Sequence, residues 1–529
     1  MRSTFSGIEL SKRSLFAQQA ALATTGHNIA NANTKGYSRQ TVNMTAARPL
    51  EAVGLTRSTA AGQMGQGVEI QSIARIRQQF LDDQFYGENQ NLGDWSIKHD
   101  TLDKLEAIVN EPSDTGLTKV MENFWNAWQT VSKDPENLTS RSALKESALA
   151  MTDAFNNISK QLTELTKDLT SNLDIKAKEV ASYLDQIAGL NQEIYRVEGL
   201  GNNANDLRDQ RDLLVDNLSK IVNITVTEED RGYTIKLGTV DLVQGREVQT
   251  KVDAQVLEEA KKSGSLKSGE ANGILVSRDD YLVKYKSQLN SMVKSLVEGD
   301  VTVTLPKGTV IPEGATFGGK TYNGTVEQRT IQEEKGITAT VKGLNGLHEL
   351  GYTLSDPPGS GIPFFTLSGD ATEFNAATIT VNPKIVSDVS NIAASGRVET
   401  VDGKTKLIKG NNDIALALAG LSNEKFKYVP DGTGGPTTNL PDGTIGEFFR
   451  SIVGQLGVQS QEARRQLENQ MILVDQVETW RQSVSGVSLD EEMANMIKFQ
   501  HAYSAAARAM TVFDEMLDKV INGMGVVGR

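Results

Sequence analysis

The sequence predicts an elongated, multidomain α+β protein, with a long helical coiled-coil or bundle region built from both chain termini and β-rich domains in the middle. Three observations lead to this prediction. Seven-residue apolar repeats run through both ends. Proline is absent from residues 1–48, 136–305 and 442–529, where helices can therefore be long. The span 306–441 is rich in Gly, Thr and Val and contains turn pairs such as Pro358-Gly359.

The two chain ends each carry one apolar stripe. The N-terminal stripe consists of Ile8, Leu15, Leu22 and Ile29; the C-terminal stripe consists of Leu489, Met496, Tyr503, Met510, Leu517 and Met524, flanked by Phe499, Ala506 and Phe513. A seven-residue repeat keeps one seam facing a partner helix. We therefore predict that these residues form an assembly interface. An ordinary intramolecular helical hairpin explains the same spacing equally well.

Two further long helices are expected inside the chain. One carries the stripe Leu144, Met151, Ile158 and Leu165, which resumes in shifted register at Leu173, Val180, Ile187 and Ile194; the other carries Val453, Leu456, Ser460, Ala463, Leu467, Met471, Val474 and Val477. A helix of some fifty residues is roughly 75 Å long, which exceeds the diameter of a compact domain. This length is the reason for expecting an elongated molecule.

Composition excludes several classes of function. The chain has 529 residues, 54 Lys+Arg, 67 Asp+Glu and a formal net charge of -13, so a broad nucleic-acid-binding surface is not expected. It contains no Cys, which excludes disulfide and thiolate-metal frameworks. Its longest apolar stretch, Ile414 to Leu421, is far shorter than the roughly 20 residues that span a bilayer, so membrane insertion is not expected either.

No arrangement of residues predicts catalysis. The four histidines, His27, His99, His348 and His501, lie far apart and form no metal-binding pair. We therefore predict no enzyme activity, no catalytic residues, no metal site and no cofactor. The alternating charges of residues 208–212 allow two interpretations: an exposed, charge-paired helix face, which we favour, or buried ion pairs that fix a junction between helical and β regions.

A motif follows the first stripe and identifies a family. His27 to Tyr37 reads HNIANANTKGY, and its marking residues are Ala30, Asn31, Asn33, Thr34, Gly36 and Tyr37. This segment resembles the signature of the bacterial flagellar rod and hook axial protein family. In physical terms it is a helix exit, because Asn33 and Gly36 can adopt the left-handed conformation that ends a helix.

Further segments resemble one branch of that family, the hook-associated proteins of the hook-filament junction. They are Ser38-Arg39-Gln40, Asn205 to Asp212, and Ser485 to Glu492. The resemblance implies a structural protein that polymerises at this junction and connects hook and filament. A second junction protein or a hook or rod subunit is the alternative within the family; a secreted coiled-coil protein with an enzyme domain in residues 221–440 is the alternative outside it.

The resemblance also implies partners, location and domains. Expected partners are the chain itself in a helical or ring-shaped homo-oligomer on the hook, the hook protein, the second hook-filament junction protein, and a flagellar export chaperone that holds the C-terminal helix. The resemblance also implies that the chain reaches the extracellular flagellum by type III export. The expected domains are a terminal assembly domain (1–45 with 485–529), a mainly helical rod domain (46–220 with 266–299 and 343–484), a small β region (221–265) and a β-rich surface insertion (300–342) with strands at 301–305 and 337–341.

Overall fold

The structure is a computed structural model that describes residues 5–49, 65–401, 404–430 and 442–523. Met524, the last position of the C-terminal stripe, lies outside these residues. Helices and short strands are both present, so the predicted α+β class is confirmed.

The helices form most of the described chain. Their bounds are α1 Ser6–Ala30, α2 Gln79–Val109, α3 Leu117–Lys133, α4 Leu138–Glu198, α5 Asn205–Ile221, α6 Ala254–Lys262, α7 Glu270–Val276, α8 Val283–Glu298, α9 Val326–Arg329, α10 Gly343–Glu349, α11 Pro383–Ser387, α12 Asp413–Gly420, α13 Ile445–Ser485 and α14 Leu489–Gly523. A π-helical turn, Ser277–Leu282, joins α7 to α8.

The strands are short and pair mostly in twos. Their bounds are β1 Gln40–Ala46, β2 Val68–Arg75, β3 Thr225–Glu229, β4 Gly232–Leu237, β5 Val240–Gln244, β6 Glu247–Val248, β7 Asp300–Leu305, β8 Thr316–Phe317, β9 Lys320–Thr321, β10 Ile337–Lys342, β11 Phe365–Leu367, β12 Ile379–Val381, β13 Val398–Val401 and β14 Lys404–Leu407. The largest described sheet is antiparallel, with strand order β3-β4-β5-β6.

Helix α4 confirms the prediction of a long internal helix. It has 61 residues, which corresponds to about 90 Å. Every position of the stripe from Leu144 to Leu165 and of its continuation from Leu173 to Ile194 is buried, and the change of register lies within one continuous helix. The second predicted helix is α13. Its stripe is buried at Leu456, Ala463 and Val477, whereas Met471 is 56% exposed.

The chain divides into two compact units. Unit 1 comprises Met1–Ser96, Leu173–Gly273 and Leu467–Arg529; unit 2 comprises Ile97–Asn172 and Ile274–Gln466. This division does not test the four predicted domains, 1–45 with 485–529, 46–220 with 266–299 and 343–484, 221–265, and 300–342, which stay a prediction.

In unit 1, α1 and α14 pack as an antiparallel hairpin. Gly7 lies opposite Phe513, and Asn28 lies opposite Glu492. The buried side of α1 is small or polar and consists of Ser11, Ala17, Ala21, Thr24, Thr25 and Asn28. A Cβ atom on Gly7 would stand 2.5 Å from the Phe513 ring, so the helices approach each other closely there.

Unit 2 is organised around an aromatic core. Phe124 and Trp128 of α3 pack against each other, with ring centroids 6.5 Å apart. Phe124 also packs against Phe364 and Phe365, and Trp128 against Phe364, with ring centroids 5.4–6.1 Å apart. His348 joins this core, fully buried, and its Nε2 accepts a hydrogen bond from the Ala393 N–H at 2.8 Å.

The insertion at residues 300–342 forms the two expected strands, which pair as β7 and β10. The insertion also contacts the rest of unit 2. Arg329 donates to the Tyr352 hydroxyl at 2.8 Å, and the Val310 N–H donates to the Gly396 carbonyl at 2.7 Å. Val310 itself packs with Tyr352 and Val398.

Candidate assembly site

The exit motif ends α1 by side-chain capping. Helix α1 stops at Ala30, and the Asn31 side chain donates to the His27 carbonyl at 3.0 Å. The Thr34 hydroxyl donates to the Asn31 side chain at 3.2 Å. Gly36 has φ +83°, as expected. Asn33, the other residue that could take this conformation, does not: among the described non-glycine residues only Asn110 has a positive φ.

Asn28 is the centre of a buried polar hub just before this exit. Its amide nitrogen donates to the Gln40 carbonyl at 2.9 Å and to the Glu492 carboxylate at 3.0 Å. Its amide oxygen accepts from the Tyr37 hydroxyl at 2.8 Å and from the Gln40 N–H at 3.0 Å. One fully used amide therefore joins α1, the motif, β1 and the first turn of α14.

Arg39 strengthens the link to α14. It pairs with Glu492 and with Glu491 at 2.8 and 2.7 Å, and its backbone N–H donates to the Ser485 carbonyl. Glu492 is 2% exposed, so its charge would be costly to bury without Arg39 and Asn28. The start of α14 is thus fixed to the exit of α1.

The hub continues into a buried cluster of ion pairs. Asp209 of α5 accepts from the Ser38 N–H and from Arg75, and Arg75 also pairs with Asp212. Arg77 pairs with Asp212 and with Asp82 of α2, and so bridges these two carboxylates. Asp209 and Asp212 are 5% and 1% exposed. The favoured interpretation of residues 208–212 as an exposed face was therefore wrong, and the buried ion pairs are the correct alternative.

Burial and the neighbouring arginines shift the carboxyl pKa values of this cluster in opposite directions. Burial acts to raise the pKa of Asp212, but Arg77, Arg75 and Arg211 hold it below its ordinary value. Burial raises the pKa of Asp216 to about 6, although Arg481 opposes the shift.

Arg481 connects α13 to the same cluster. It makes a two-pronged contact with the Asp216 carboxylate at 2.8 and 2.9 Å, and it lies 3.4 Å from Asp82 of α2. A fork-to-fork pair of this kind fixes orientation as well as distance. Helices α2, α5 and α13 are therefore held together within unit 1 by this arginine.

The predicted interface residues fall into two groups. Ile8, Leu15, Leu22, Ile29, Met496 and Met510 are half-buried, and Leu517 is buried, all within or beside the α1–α14 hairpin. Leu489 and Tyr503 are 48% and 39% exposed. Phe16, which flanks the N-terminal stripe, is 57% exposed. Phe5, Met493 and Ile497, which the stripes did not include, are similarly exposed.

Sequence reasoning missed Asn28, Glu492 and Arg481 as site residues. One signal was available for Glu492, because it stands seven residues before Phe499 and so puts a carboxylate at an apolar position of the repeat. A charge at such a position requires a buried partner. Asn28 similarly follows the buried Ala21 by seven residues.

Three family models match parts of the chain. The model of the flagellar hook-associated protein FlgK helical domain matches residues 102–299. The models of the flagellar basal body rod FlgEFG protein C-terminal and the flagella basal body rod protein match residues 481–523 and 12–37, which contain the two helices of the hairpin.

Full-length relatives are similar to the chain. Flagellar hook-associated protein 1 of Bacillus subtilis (strain 168) is 35% identical over 549 residues and covers 100% of both chains. The protein of the same description from Escherichia coli (strain K12) is 25% identical and covers 96% of this chain and 98% of its own. A solved structure, the flagellar hook junction protein FlgK from Burkholderia pseudomallei, has TM-score 0.48 at 14% identity, covering 76% of this chain and 100% of that one.

The helical ends, the exit motif and the rod-protein matches define a flagellar axial protein, which is a structural component of the bacterial flagellum. Within that class, the full-length similarity shows that the chain belongs to the flagellar hook-associated protein 1 family. It therefore belongs to an exported structure and assembles with other flagellar components. In the described part of the chain, no helix combines the length and apolar character that a membrane span requires.

Proposed function

We propose that the chain polymerises at the hook-filament junction and connects the hook to the filament. The observation that carries the proposal is the α1–α14 hairpin, which the Asn28 hub fixes to unit 1 while Phe16, Met493 and Ile497 remain 55–57% exposed. A hairpin that is rigidly placed but leaves apolar side chains in water is suited to packing against neighbouring copies.

The proposal includes named partners. The hairpin, with Ile8, Leu15, Leu22, Ile29, Leu489, Met496, Tyr503, Met510 and Leu517, is the proposed interface with other copies and with the hook protein. The second hook-filament junction protein is the proposed partner on the side of the chain that is distal to the hook. The location is the extracellular flagellum, reached by type III export. A catalytic role has no support, since the buried carboxylates of the ion-pair cluster beside the hub are paired with arginines.

Deletion of the gene tests the proposal directly. Electron microscopy of the deletion strain should show hooks without filaments, and flagellin should appear in the medium. Expression of the wild-type chain should restore filaments. Normal filaments in the deletion strain would contradict the proposal, and loss of the hooks themselves would indicate a rod or hook subunit instead.

An export chaperone is the proposed partner before assembly. Helix α14 presents Met493, Ile497, Val512 and Met516 to solvent, each about half exposed, and helix-in-groove capture covers such side chains. A peptide of residues 485–523 should bind the flagellar export chaperone with helix induction, measured by calorimetry and circular dichroism. The same peptide with Met493 and Ile497 changed to Asp should bind at least tenfold more weakly. Equal binding by both peptides would contradict this part of the proposal.

A further inference from the structure

A lysine, an asparagine and an aspartate meet in unit 1, where the end of α6, the start of α7 and helix α2 come together. The Lys261 Nζ atom donates to the Asn272 Oδ1 atom at 2.6 Å. The Asn272 Nδ2 atom in turn donates to the Asp94 carboxylate at 2.7 Å. The two hydrogen bonds therefore place an amine at one end of a side-chain amide and a carboxylate at the other.

Close backbone packing holds these three side chains together. A Cβ atom on Gly93 of α2 would stand 3.1 Å from the backbone nitrogen of Glu270, the first residue of α7. The Gly269 N–H donates to a backbone carbonyl of α2 at 2.9 Å. Asp94 directly follows Gly93, and Asn272 lies in the first turn of α7, so their contact is set by two helices whose backbones nearly touch.

The amide between the two charged groups is shielded from water. Asn272 and Asp94 are 2% and 6% exposed, and Lys261 is half-buried. Ala260 and Ala271, which precede Lys261 and Asn272 in the chain, are buried as well. Exclusion of water strengthens the electrostatic effect of each charged group on the amide and protects a reactive intermediate from hydrolysis.

The lysine nitrogen is also close to the carbon atom of this amide. A C=O bond is about 1.2 Å long, so a nitrogen that lies 2.6 Å from Oδ1 is within about 4 Å of Cγ. Reacting atoms in a productive arrangement are about 3–3.5 Å apart, and a small rotation about the last bonds of the lysine side chain covers the difference. An amine held in this way has an effective concentration far above any that is reached in solution, which favours attack on an otherwise unreactive amide.

We propose that Lys261 and Asn272 join in an intramolecular isopeptide bond, with Asp94 as the proton relay. Lys261 reacts as the neutral amine: its Nζ atom attacks Cγ of Asn272, and the Nζ–Cγ bond forms. Nζ and Nδ2 are then bonded to the same carbon, so the Asp94 carboxylate takes a proton from Nζ and gives it to Nδ2. The Cγ–Nδ2 bond breaks, and Nδ2 leaves as ammonia.

The product is a covalent ring that closes residues 262–271 beside α2. The reaction takes place once in each chain, so it is a self-modification and not an enzyme activity. Asp94 lies 178 positions from Asn272, so only a chain in which unit 1 has folded brings the three groups together. The bond therefore marks, and then secures, the folded state of this part of the molecule.

Mass spectrometry of the purified full-length chain tests the bond. After the folded protein has been kept for several days at mildly alkaline pH, where more lysine is neutral, its intact mass should be lower than the sequence mass by one ammonia. Trypsin cuts after Lys262 and Lys267, so residues 252–262 and 268–278 should be recovered as one branched peptide. Fragmentation of that peptide should place the link between Lys261 and Asn272.

Three variants, each checked for folding by circular dichroism, assign the roles. Lys261→Arg keeps a positive charge beside Oδ1 but has no reactive amine, so it should give no branched peptide. Lys262→Arg is the matched control, because Lys262 is the exposed next residue of the chain, and it should form the bond as the wild type does. Asp94→Asn keeps a hydrogen-bond acceptor opposite Nδ2 but cannot relay a proton, so it should form the bond at least tenfold more slowly.

A second reaction also releases ammonia and has to be distinguished. Asn272 precedes Gly273, and cyclisation of an Asn-Gly pair to a succinimide gives the same loss of mass. Loss of ammonia that is found only on a linear peptide of residues 268–278 would therefore overturn the inference. A wild-type chain that keeps its full sequence mass would overturn it too, and the three groups would then form hydrogen bonds only. An unchanged rate in Asp94→Asn would exclude the relay.

Discussion

Replacement of Asn28 by alanine tests whether the polar hub holds the hairpin in place. The substitution removes four hydrogen bonds and leaves the Gln40 N–H and carbonyl, the Tyr37 hydroxyl and one Glu492 oxygen without the partner seen in the structure. Asn28 is 1% exposed, so water does not replace the amide without rearrangement. Each unsatisfied buried group costs about 1–3 kcal/mol, and Glu492 retains Arg39, so the three remaining groups should together lower the stability by about 3–9 kcal/mol.

Native-state hydrogen exchange measures this loss locally, which matters because two units need not unfold in one step. Peptides covering residues 37–42 and 489–496 should exchange faster in Asn28→Ala, whereas peptides of α3 should not change. Asn33→Ala is the matched control: it lies in the same motif, its side chain is exposed, and its effect should stay below about 0.5 kcal/mol. A loss under about 1 kcal/mol for Asn28→Ala, with unchanged exchange at 37–42, would refute the role of the hub.

Three further predictions concern other parts of the chain. Gly7→Ala should lower the stability of the hairpin by about 1–3 kcal/mol, because the added Cβ meets the Phe513 ring. Adding Phe513→Leu to Gly7→Ala should restore part of the lost stability, and thermal unfolding of the single and the double variant measures both effects. Burial lowers the pKa of His348 from 6.5 to about 4, so the unfolded chain binds more protons between these values and stability should fall by up to about 3 kcal/mol as pH drops from 6.5 to 4. The fall should be smaller in His348→Gln but unchanged in His501→Gln, and equal pH profiles would contradict it. Replacing residues 300–342 by a Gly/Ser linker should destabilise unit 2, as measured by urea unfolding, because this segment contributes buried core; an unchanged midpoint would show that the segment is separable.

The parts of the fold that the sequence predicts are those with a regular period. The α4 stripe could be read residue by residue because one helix buries one face along its whole length, and each position reports the same environment. The strands at 301–305 and 337–341 were likewise visible from local composition. Their integration into unit 2 was not, since it depends on contacts with Tyr352 and Gly396, which no local pattern encodes.

The hub was hidden for a related reason. The hub and the ion-pair cluster beside it draw their members from α1, β1, β2, α2, α5, α13 and α14, and these polar residues lie in segments whose periodicity describes something else. Charged residues are mostly exposed, so residues 208–212 favoured a solvated face until their partners Arg75 and Arg77 were known. At the helix exit, sequence shows that Asn33 and Gly36 both tolerate a left-handed turn but not that Gly36 alone takes it.

The two ends of the Asn28–Glu492 hydrogen bond are 464 positions apart in the chain. A contact of such sequence separation forms late, since the entropy of closing the intervening loop must be overcome first. In the proposed type III export, a chain that emerges from its N-terminus can complete this bond only after almost the whole polypeptide has emerged. Partly exported or truncated chains would therefore leave Asn28 and Arg39 without Glu492, and their hairpins would not be fixed in place. The hub thus makes a correctly positioned hairpin a property of the complete chain alone.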